Sequence, residues 1–182
     1  MTQCSQTLPH LFIVMGVSGT GKSSLAKYMS DEFSWCYVDA DDFHSPQAKQ
    51  QMAENKPLTD EMREPWLARI TKHLVVLAQA GKSVALAYSG LKSAQRNLFR
   101  DLPFYCHFFY LVASREVIAK QISQRKNHFF PLELLDSQFS AMEPPLPNEL
   151  DVSVINIERP LVLVANDLTM LIKEITRKNN NE

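Results

Sequence analysis

The chain has 182 residues and carries 19 basic and 20 acidic side chains, which leave a formal net charge of -1 at pH 7. Because the charges balance and no segment concentrates lysine or arginine, the composition argues against a nucleic-acid partner. The longest apolar runs are far shorter than the roughly 18 residues of a membrane-spanning helix, and no N-terminal segment resembles a secretion signal, so we expect no membrane association and a cytoplasmic location.

Five apolar segments of strand length alternate with helix-length segments. Strands are predicted at residues 11–15, 35–38, 83–87, 107–112 and 152–157. Helices are predicted at residues 22–33, 45–54, 65–80, 93–100, 114–126, 132–141 and 161–177. This alternation is typical of a parallel sheet with helices on both faces. We therefore expect a single α/β domain over residues 1–182, built as a three-layer αβα sandwich around a five-stranded parallel sheet.

Two segments do not fit this alternation. Residues 126–147 combine His-Phe-Phe-Pro with Glu-Pro-Pro-Leu-Pro, a composition that favours a mobile excursion above the sheet. We expect a mobile lid there. The asparagine-rich end, residues 178–182, is expected to be disordered.

Residues 16–23, with the sequence GVSGTGKS, match the phosphate-binding pattern G-x-x-x-x-G-K-[ST] and directly follow the first predicted strand. Such a loop turns tightly and aims backbone N–H groups at a phosphate chain, beside the start of the next helix. We expect Lys22 to reach the β and γ phosphates of a nucleoside triphosphate and the Ser23 hydroxyl to ligate Mg²⁺. The alternative is a glycine-rich turn that binds nothing. The predicted nucleotide-binding residues are Gly16, Val17, Ser18, Gly19, Thr20, Gly21, Lys22, Ser23 and Ser24.

Acidic residues follow the second predicted strand, at the sheet edge where ligands of open α/β proteins collect. Strand alternation points Asp39 and Asp41 the same way, toward the phosphate loop. One carboxylate can hold Mg²⁺ through water while the other takes a proton from a substrate hydroxyl. The alternative is a helix N-cap followed by acidic residues that the helix dipole favours.

Basic side chains follow the third predicted strand. Arg96 lies one helical turn after Lys92, so we expect both on one face, where they can clasp an anion together. Each basic or histidine side chain taken alone is more often a solvated charge or a structural residue. Further candidates for contact with a substrate come from other parts of the chain: His44, Arg63, Arg125 and His128.

Taken together, these motifs resemble those of the gluconate kinase family, relatives of the shikimate and adenylate kinases, over about residues 10–172. Met15 and the phosphate loop are similar to the family's M-G-V-S-G-[ST]-G-K-[ST], and Asp39, Asp41 and His44 match its D-G-D-x-x-H-P. The most diagnostic block, K-M-x-x-G-x-P-L-x-D-x-D-R-x-P-W-L, is matched by Met52, Pro57, Leu58, Asp60, Arg63, Pro65, Trp66 and Leu67. Further matches are Ser89, Leu91, Lys92, Arg96, Arg125, His128, Phe129, Ser137, Gln138, Phe139, Glu143 and Pro144.

The resemblance implies the P-loop NTPase fold and the phosphorylation of D-gluconate to 6-phospho-D-gluconate, with ATP and Mg²⁺. It also implies a homodimer and a substrate-binding segment at about residues 40–80. Carried over by position, Lys22, Asp41 and Arg125 are catalytic: Asp41 orients or deprotonates the 6-hydroxyl, and Arg125 moves with the lid over the transferred phosphoryl group. Asp39 and Ser23 lie at Mg²⁺. The implied substrate-binding residues are Asp41, His44, Arg63, Lys92, Arg96 and His128.

Some residues depart from the family's pattern. Tyr88, Met62 and Asn97 replace residues that are usual around the sugar-acid site, so a kinase for a related sugar acid or another small hydroxyl acceptor stays open as an alternative. Gln121 stands where relatives carry an arginine that stacks on adenine. In this chain the adenine base therefore lacks that cation. A third interpretation is a nucleotide-binding regulator without turnover; the intact aspartates after strand two argue against it.

Overall fold

Five strands and seven helices alternate along the part of the chain that the structure describes. The structure is a computed structural model that describes residues 7–54, 56, 58–90, 92–124 and 132–179. The first half contains β1 (His10–Met15), α1 (Lys22–Phe33), β2 (Cys36–Asp39), a short 3-10 helix (Ala40–Phe43), α2 (Pro46–Ala53), α3 (Asp60–Gln79) and β3 (Val84–Tyr88). The second half contains α4 (Ser93–Arg100), β4 (Tyr105–Val112), α5 (Arg115–Ser123), α6 (Leu132–Ala141), β5 (Val152–Asn156) and α7 (Leu161–Asn179).

The strands form one parallel sheet in the order β2-β3-β1-β4-β5. Met15 at the end of β1 pairs with Tyr88 of β3, and Asp39 at the end of β2 pairs with Ala87 of β3. The carboxyl ends of β1, β2 and β3 therefore lie side by side. Whatever follows these three strands in the sequence meets at one edge of the sheet, which is the predicted position for a ligand.

Helices cover both faces of the sheet. Leu11 to Val14 of β1 are fully buried, which is expected for a central strand with a helical layer on each side. The alternate residues Leu11 and Ile13 belong to one core with α3 and α4, whereas Phe12 and Val14 belong to a second core with α1 and α7. The predicted three-layer αβα sandwich and its five-stranded parallel sheet are confirmed. None of the helices among the described residues has the length and apolar character needed to cross a bilayer.

Helix α3 begins five residues before the predicted start at Pro65. The Thr59 side chain caps it by accepting from the Met62 N–H at 3.4 Å, and Asp60 and Glu61 lie in the first turn, where the helix dipole favours acidic residues. Pro65 is then the sixth residue of the helix, where it removes one backbone hydrogen bond. The helix therefore begins directly after the capping residue and continues through Pro65. As a result, Asp60 and Arg63 both lie in the first turns of α3.

The predicted lid and the predicted tail are only partly described. Within the predicted lid, residues 126–131 lie outside the described residues, but α6 follows them and its Leu135 is fully buried against Val17, Ile118 and Ile122. The second half of the predicted lid therefore packs beside the phosphate loop. Helix α7 reaches Asn179, so the helix extends two residues into the segment expected to be disordered, and residues 180–182 lie outside the described part.

Candidate active site

The phosphate loop joins β1 to α1 in a conformation that requires glycine at two tight points. Gly19 has a φ of +89°, and a Cβ atom there would lie 2.6 Å from Cγ1 of Ile122. At Gly16, also at positive φ, a Cβ atom would lie 2.9 Å from the Leu111 carbonyl oxygen. Because both contacts are shorter than real Cβ atoms tolerate, larger residues would push the loop away from α5 and β4.

Within the loop, the Val17 carbonyl oxygen accepts hydrogen bonds from two side chains. Lys22 Nζ donates to it at 3.0 Å, and the buried Thr20 Oγ1 donates to it at 2.9 Å. These bonds fold the lysine side chain back over the loop that precedes it. Its ammonium group thus lies where loop N–H groups and the start of α1 also favour an anion.

A cleft of about 1210 Å³ opens above the carboxyl ends of the strands. Its wall includes residues from the phosphate loop, the segment after β2, α2, α3, the end of β3 and α6. Among the predicted site residues, the cleft is lined by Ser18, Gly19, Gly21, Lys22, Ser23, Ser24, Asp39, Asp41, His44, Arg63 and Lys92. Most of the sequence-predicted site residues that the structure describes are therefore brought together.

Ser23 and Asp39 form a hydrogen-bonded pair of oxygen groups that line the cleft. Ser23 Oγ donates to Asp39 Oδ2 at 2.8 Å, and the Asp41 backbone N–H donates to Asp39 Oδ1 at 3.1 Å. A hydroxyl and a carboxylate are the hard oxygen donors that Mg²⁺ takes, with phosphate and water oxygens completing its shell. The donor set therefore fits a magnesium ion that arrives with nucleotide phosphates.

Tyr37 holds the same carboxylate from the β2 strand. Its hydroxyl donates to Asp39 Oδ2 at 2.8 Å. Burial, followed by the hydrogen bond to Asp39, raises the pKa of Tyr37 to about 12, so the phenol stays protonated and remains a donor at physiological pH. Tyr37 therefore fixes the orientation of the Asp39 carboxylate.

Asp41 presents an exposed carboxylate to the cleft. Ser89 Oγ, just past β3, donates to its Oδ1 atom at 3.3 Å, and His44 Nε2 lies 3.8 Å from the same oxygen. The Asp41 side chain is 67% exposed, so a substrate hydroxyl can reach it. This geometry suits a group that accepts a proton from a bound alcohol.

His44 is fixed below Asp41 by an aromatic stack. Its ring lies 4.4 Å from that of Trp66 and nearly parallel to it, and Trp66 Nε1 donates to the Ala40 carbonyl at 2.6 Å. Burial lowers the pKa of His44, and the nearby Asp41 carboxylate opposes this shift only in part. The imidazole is therefore neutral at pH 7. Its Nδ1 atom is buried without a hydrogen-bond partner among the described residues.

Two cations that line the cleft, Lys92 and Arg63, share one carboxylate. Lys92 Nζ donates to Asp60 Oδ2 at 2.6 Å, and Arg63 Nη1 donates to Asp60 Oδ1 at 2.9 Å. The hydrogen bond from Lys92, and then that from Arg63, lowers the pKa of Asp60. By formal charges, the cluster has one positive charge in excess, which suits a single carboxylate of a substrate.

Arg96 does not take part in this cluster, so the prediction that it clasps an anion with Lys92 is wrong. Lys92 is the N-cap of α4, with an extended backbone, and therefore does not share a helix face with Arg96. The Arg96 side chain is only 2% exposed. It donates from Nε and Nη2 to the two carboxylate oxygens of Glu149 at 2.8 and 2.7 Å, and from Nη1 to the Glu143 carbonyl at 3.0 Å.

Two predicted residues, Arg125 and His128, lie outside the described residues, and their roles stay predictions. Three residues at the site were assigned no role from the sequence: Tyr37, Asp60 and Gln138. Strand alternation could have marked Tyr37, which lies two residues before Asp39 on β2. Asp60 and Gln138 match positions of the family motifs, but the match alone did not show which side chains they contact.

A second cavity, of about 250 Å³, adjoins the far side of the phosphate loop. Gln121 of α5 lines it together with Arg159, Ile157 and Leu161 from the β5–α7 region. The structure thus places Gln121 beside the phosphate loop. Arg159, which also pairs with Asp167 at 2.8 Å, supplies a cation on the opposite segment.

The three residues whose departure from the family pattern left a different phosphoryl acceptor possible lie away from the cleft wall. Tyr88 is 1% exposed and packs its ring between Trp66 and Phe99, beneath the site. Asn97 accepts from Arg100 Nη1 at 2.7 Å on the exposed side of α4. Tyr88 and Asn97 therefore do not line the cleft, and neither does Met62.

Comparison with known proteins identifies the group to which this arrangement belongs. A family model described as an AAA domain matches residues 11–145. The thermoresistant gluconokinase of Escherichia coli K12 is 32% identical over 91% of this chain and 94% of its own length, and a probable gluconokinase of Mus musculus is 36% identical over 80% and 89%. The crystal structure of a gluconokinase from Sinorhizobium meliloti 1021 has a TM-score of 0.82 and 30% identity, covering 96% of this chain and 95% of its own. The chain, with its phosphate loop and AAA-type domain, belongs to the gluconokinase family.

Proposed function

We propose that this protein catalyses the ATP-dependent phosphorylation of D-gluconate to 6-phospho-D-gluconate. The observation that carries the proposal is that one cleft contains the phosphate loop, the exposed Asp41 carboxylate and the Lys92–Arg63 cluster. A triphosphate, an acceptor hydroxyl and a carboxylate each find a complementary group there. The curated relatives that bear the name gluconokinase support the same activity.

For the nucleotide, we propose that residues 16–24 hold the phosphates and that Lys22 neutralises charge as the γ-phosphoryl group moves. Ser23 and Asp39 would hold Mg²⁺, directly or through water. When bound, this ion neutralises phosphate charge and orients the triphosphate. Phosphoryl transfer depends on alignment and electrostatic stabilisation more than on covalent chemistry, and these groups supply both.

For the acceptor, we propose that Asp41 binds the 6-hydroxyl of gluconate. The hydroxyl oxygen forms a bond to the γ phosphorus, the bond from that phosphorus to the β–γ bridging oxygen breaks, and ADP leaves. The hydroxyl proton passes to an Asp41 carboxylate oxygen. Ser89 holds that carboxylate in position, and the neutral ring of His44 offers a polar edge without adding a charge beside it.

For the other end of the sugar acid, we propose that Lys92 and Arg63 bind the gluconate carboxylate. Both side chains already converge on a carboxylate, that of Asp60, and both line the cleft. Arginine and lysine bonds to a carboxylate are charge-assisted, which makes them strong and directional. Arg125 and His128 remain candidates over the transferred phosphoryl group and the polyol on the resemblance alone.

The test is a coupled assay of ADP release with Mg-ATP, D-gluconate, other aldonates, shikimate and nucleoside monophosphates, including a reaction without acceptor. We expect strong stimulation by gluconate. The Lys22→Ala variant should fold normally and lose this stimulation, because it lacks a cation that the transition state needs. The proposal would be contradicted if a different acceptor stimulated ADP release, or if no acceptor did.

The homodimer implied by the family resemblance is proposed on that resemblance alone. Light scattering during size-exclusion chromatography tests it against the monomer mass of 20.8 kDa. A mass of about twice that value supports the dimer.

A further inference from the structure

Gln138 of α6 forms two hydrogen bonds with a phosphate-loop residue that lies 120 positions away in sequence. The Ser18 backbone N–H donates to Gln138 Oε1 at 2.6 Å, and Gln138 Nε2 donates to Ser18 Oγ at 3.0 Å. The helix that carries Gln138 is anchored one turn earlier by Leu135, which is fully buried against Val17 and Ile122. The amide is thus held against the loop by packing as well as by its hydrogen bonds.

The chemistry of the two groups determines the direction of both bonds. A backbone N–H can only donate, so the amide oxygen of Gln138 must face it and the amide nitrogen must face Ser18 Oγ. The amide nitrogen can only donate, so it uses an acceptor lone pair of the Ser18 hydroxyl. The hydroxyl proton is left for another acceptor, and among the described residues the Ser18 hydroxyl donates to none.

Ser18 lines the large cleft beside Gly19, Lys22 and Ser23, where the phosphates of a nucleotide are expected. We propose that Gln138 is a positioning residue that turns the Ser18 hydroxyl into a hydrogen-bond donor to the nucleotide phosphates. It also occupies the Ser18 backbone N–H, so Ser18 contributes its hydroxyl, not its amide, to phosphate binding. The inference rests on the proposed function only in requiring a bound nucleotide.

The experiment is a double-mutant cycle read by calorimetric titration with Mg²⁺ and a non-hydrolysable ATP analogue. The variants are Ser18→Ala, Gln138→Met and the two combined. Each single change should raise the analogue's Kd about tenfold, near the low end for a hydrogen bond to a charged group. The double variant should also be weaker by only about tenfold, because both changes remove the same hydroxyl contact.

A hundredfold loss in the double variant would overturn the proposal, since additive effects mean that Gln138 acts by another route. Unchanged analogue affinity in either single variant would overturn it as well. Ser140→Ala is the matched control on α6: its hydroxyl bonds to the Asp136 carbonyl within the helix, and its Kd should equal that of the wild type.

A second variant keeps the test decisive if Gln138→Met fails to fold. In Gln138→Glu the carboxylate still accepts from the Ser18 N–H but cannot donate, so the Ser18 hydroxyl donates its hydrogen bond to this carboxylate and not to the phosphates. The Gln138→Glu change should raise the Kd of the ATP analogue by a larger factor when Ser18 is present than in the Ser18→Ala background. An equal increase in both backgrounds would mean simple charge repulsion and would refute the positioning role.

This test is independent of the acceptor. If gluconate fails to stimulate ADP release but the cycle is non-additive, the proposed function falls and the role of Gln138 stands. If gluconate is phosphorylated but the cycle is additive, the reverse holds.

Discussion

Replacing Arg96 with methionine should destabilise the protein without weakening its affinity for gluconate. Methionine keeps the apolar stem but removes the guanidinium group that pairs with Glu149. The Arg96 side chain is 2% exposed and that of Glu149 is 11% exposed, so the change leaves a largely buried carboxylate with fewer partners. Arg100 Nη2, at 2.6 Å from Glu149 Oε2, remains as a second cation.

The size of the loss follows from the pKa of Glu149 and from the general cost of breaking a buried ion pair. The hydrogen bond from Arg96, with smaller contributions from Arg100 and the Leu146 N–H, lowers the pKa of Glu149 from 4.5 to about 2. That difference corresponds to about 3 kcal/mol of folding free energy for the whole set of partners. Removing one partner of a buried pair costs about 3–5 kcal/mol in general. We expect Arg96→Met to lose about 3 kcal/mol, or about 6–12 °C in Tm for a domain of this size.

The measurement is urea unfolding and thermal melting beside steady-state kinetics with gluconate. Arg115→Met is the matched control, because Arg115 forms a two-bond ion pair with Asp136 in which both side chains are about half exposed. An exposed pair of this kind contributes at most about 1 kcal/mol. An Arg96→Met variant with the wild-type Tm and a tenfold higher KM for gluconate would refute the reasoning and return Arg96 to the substrate site.

The Glu149 pair also predicts an acid dependence. The carboxyl has a lower pKa in the folded chain than in the unfolded chain, so its stabilisation is complete above about pH 4.5 and is lost as the pH falls toward 2. In Arg96→Met this part of the stability curve should be flatter. An identical slope in both proteins would mean that Arg96 does not set the pKa of Glu149.

Three further changes test other parts of the structure. Asp41→Asn should lower kcat at least a hundredfold while leaving the Kd of an ATP analogue within about threefold, because a proton acceptor in the transition state contributes about 10²–10⁴-fold; equal losses in both would reassign Asp41 to the metal. Lys92→Ala should raise the KM for gluconate about tenfold or more through the lost charge-assisted bond, with the KM for ATP unchanged; a change confined to ATP would contradict its place at the carboxylate. Burial lowers the pKa of His107 from 6.5 to about 4, so the unfolded chain takes up a proton first and stability should fall as the pH decreases from about 6.5 to 4. His107→Gln should flatten that decline in a urea-unfolding series, and an unchanged decline would show that other groups cause it.

The sequence by itself determined the architecture and the nucleotide side of the site. Apolar runs of strand length that alternate with helices leave few arrangements other than a covered parallel sheet, because both faces of every inner strand must be buried. The phosphate loop is contiguous in sequence and its chemistry depends on local backbone conformation, so GVSGTGKS was sufficient to place it. Asp39 and Asp41 were found from their place at the end of the second strand, but Asp41 lies in the 3-10 helix that follows Asp39, so strand alternation does not set its direction.

Only the tertiary structure decided which of two cations lines the cleft and which one is buried in an ion pair. Lys92 and Arg96 are four residues apart, and spacing alone placed them on one helix face. The helix begins after Lys92, so the lysine reaches the cleft while the arginine meets Glu149, a residue 53 positions later that no local pattern connects to it. In the same way, the contact between Gln138 and Ser18 joins residues 120 positions apart. Long-range pairings of this kind depend on how helices pack against the sheet, and periodicity along the chain carries no information about them.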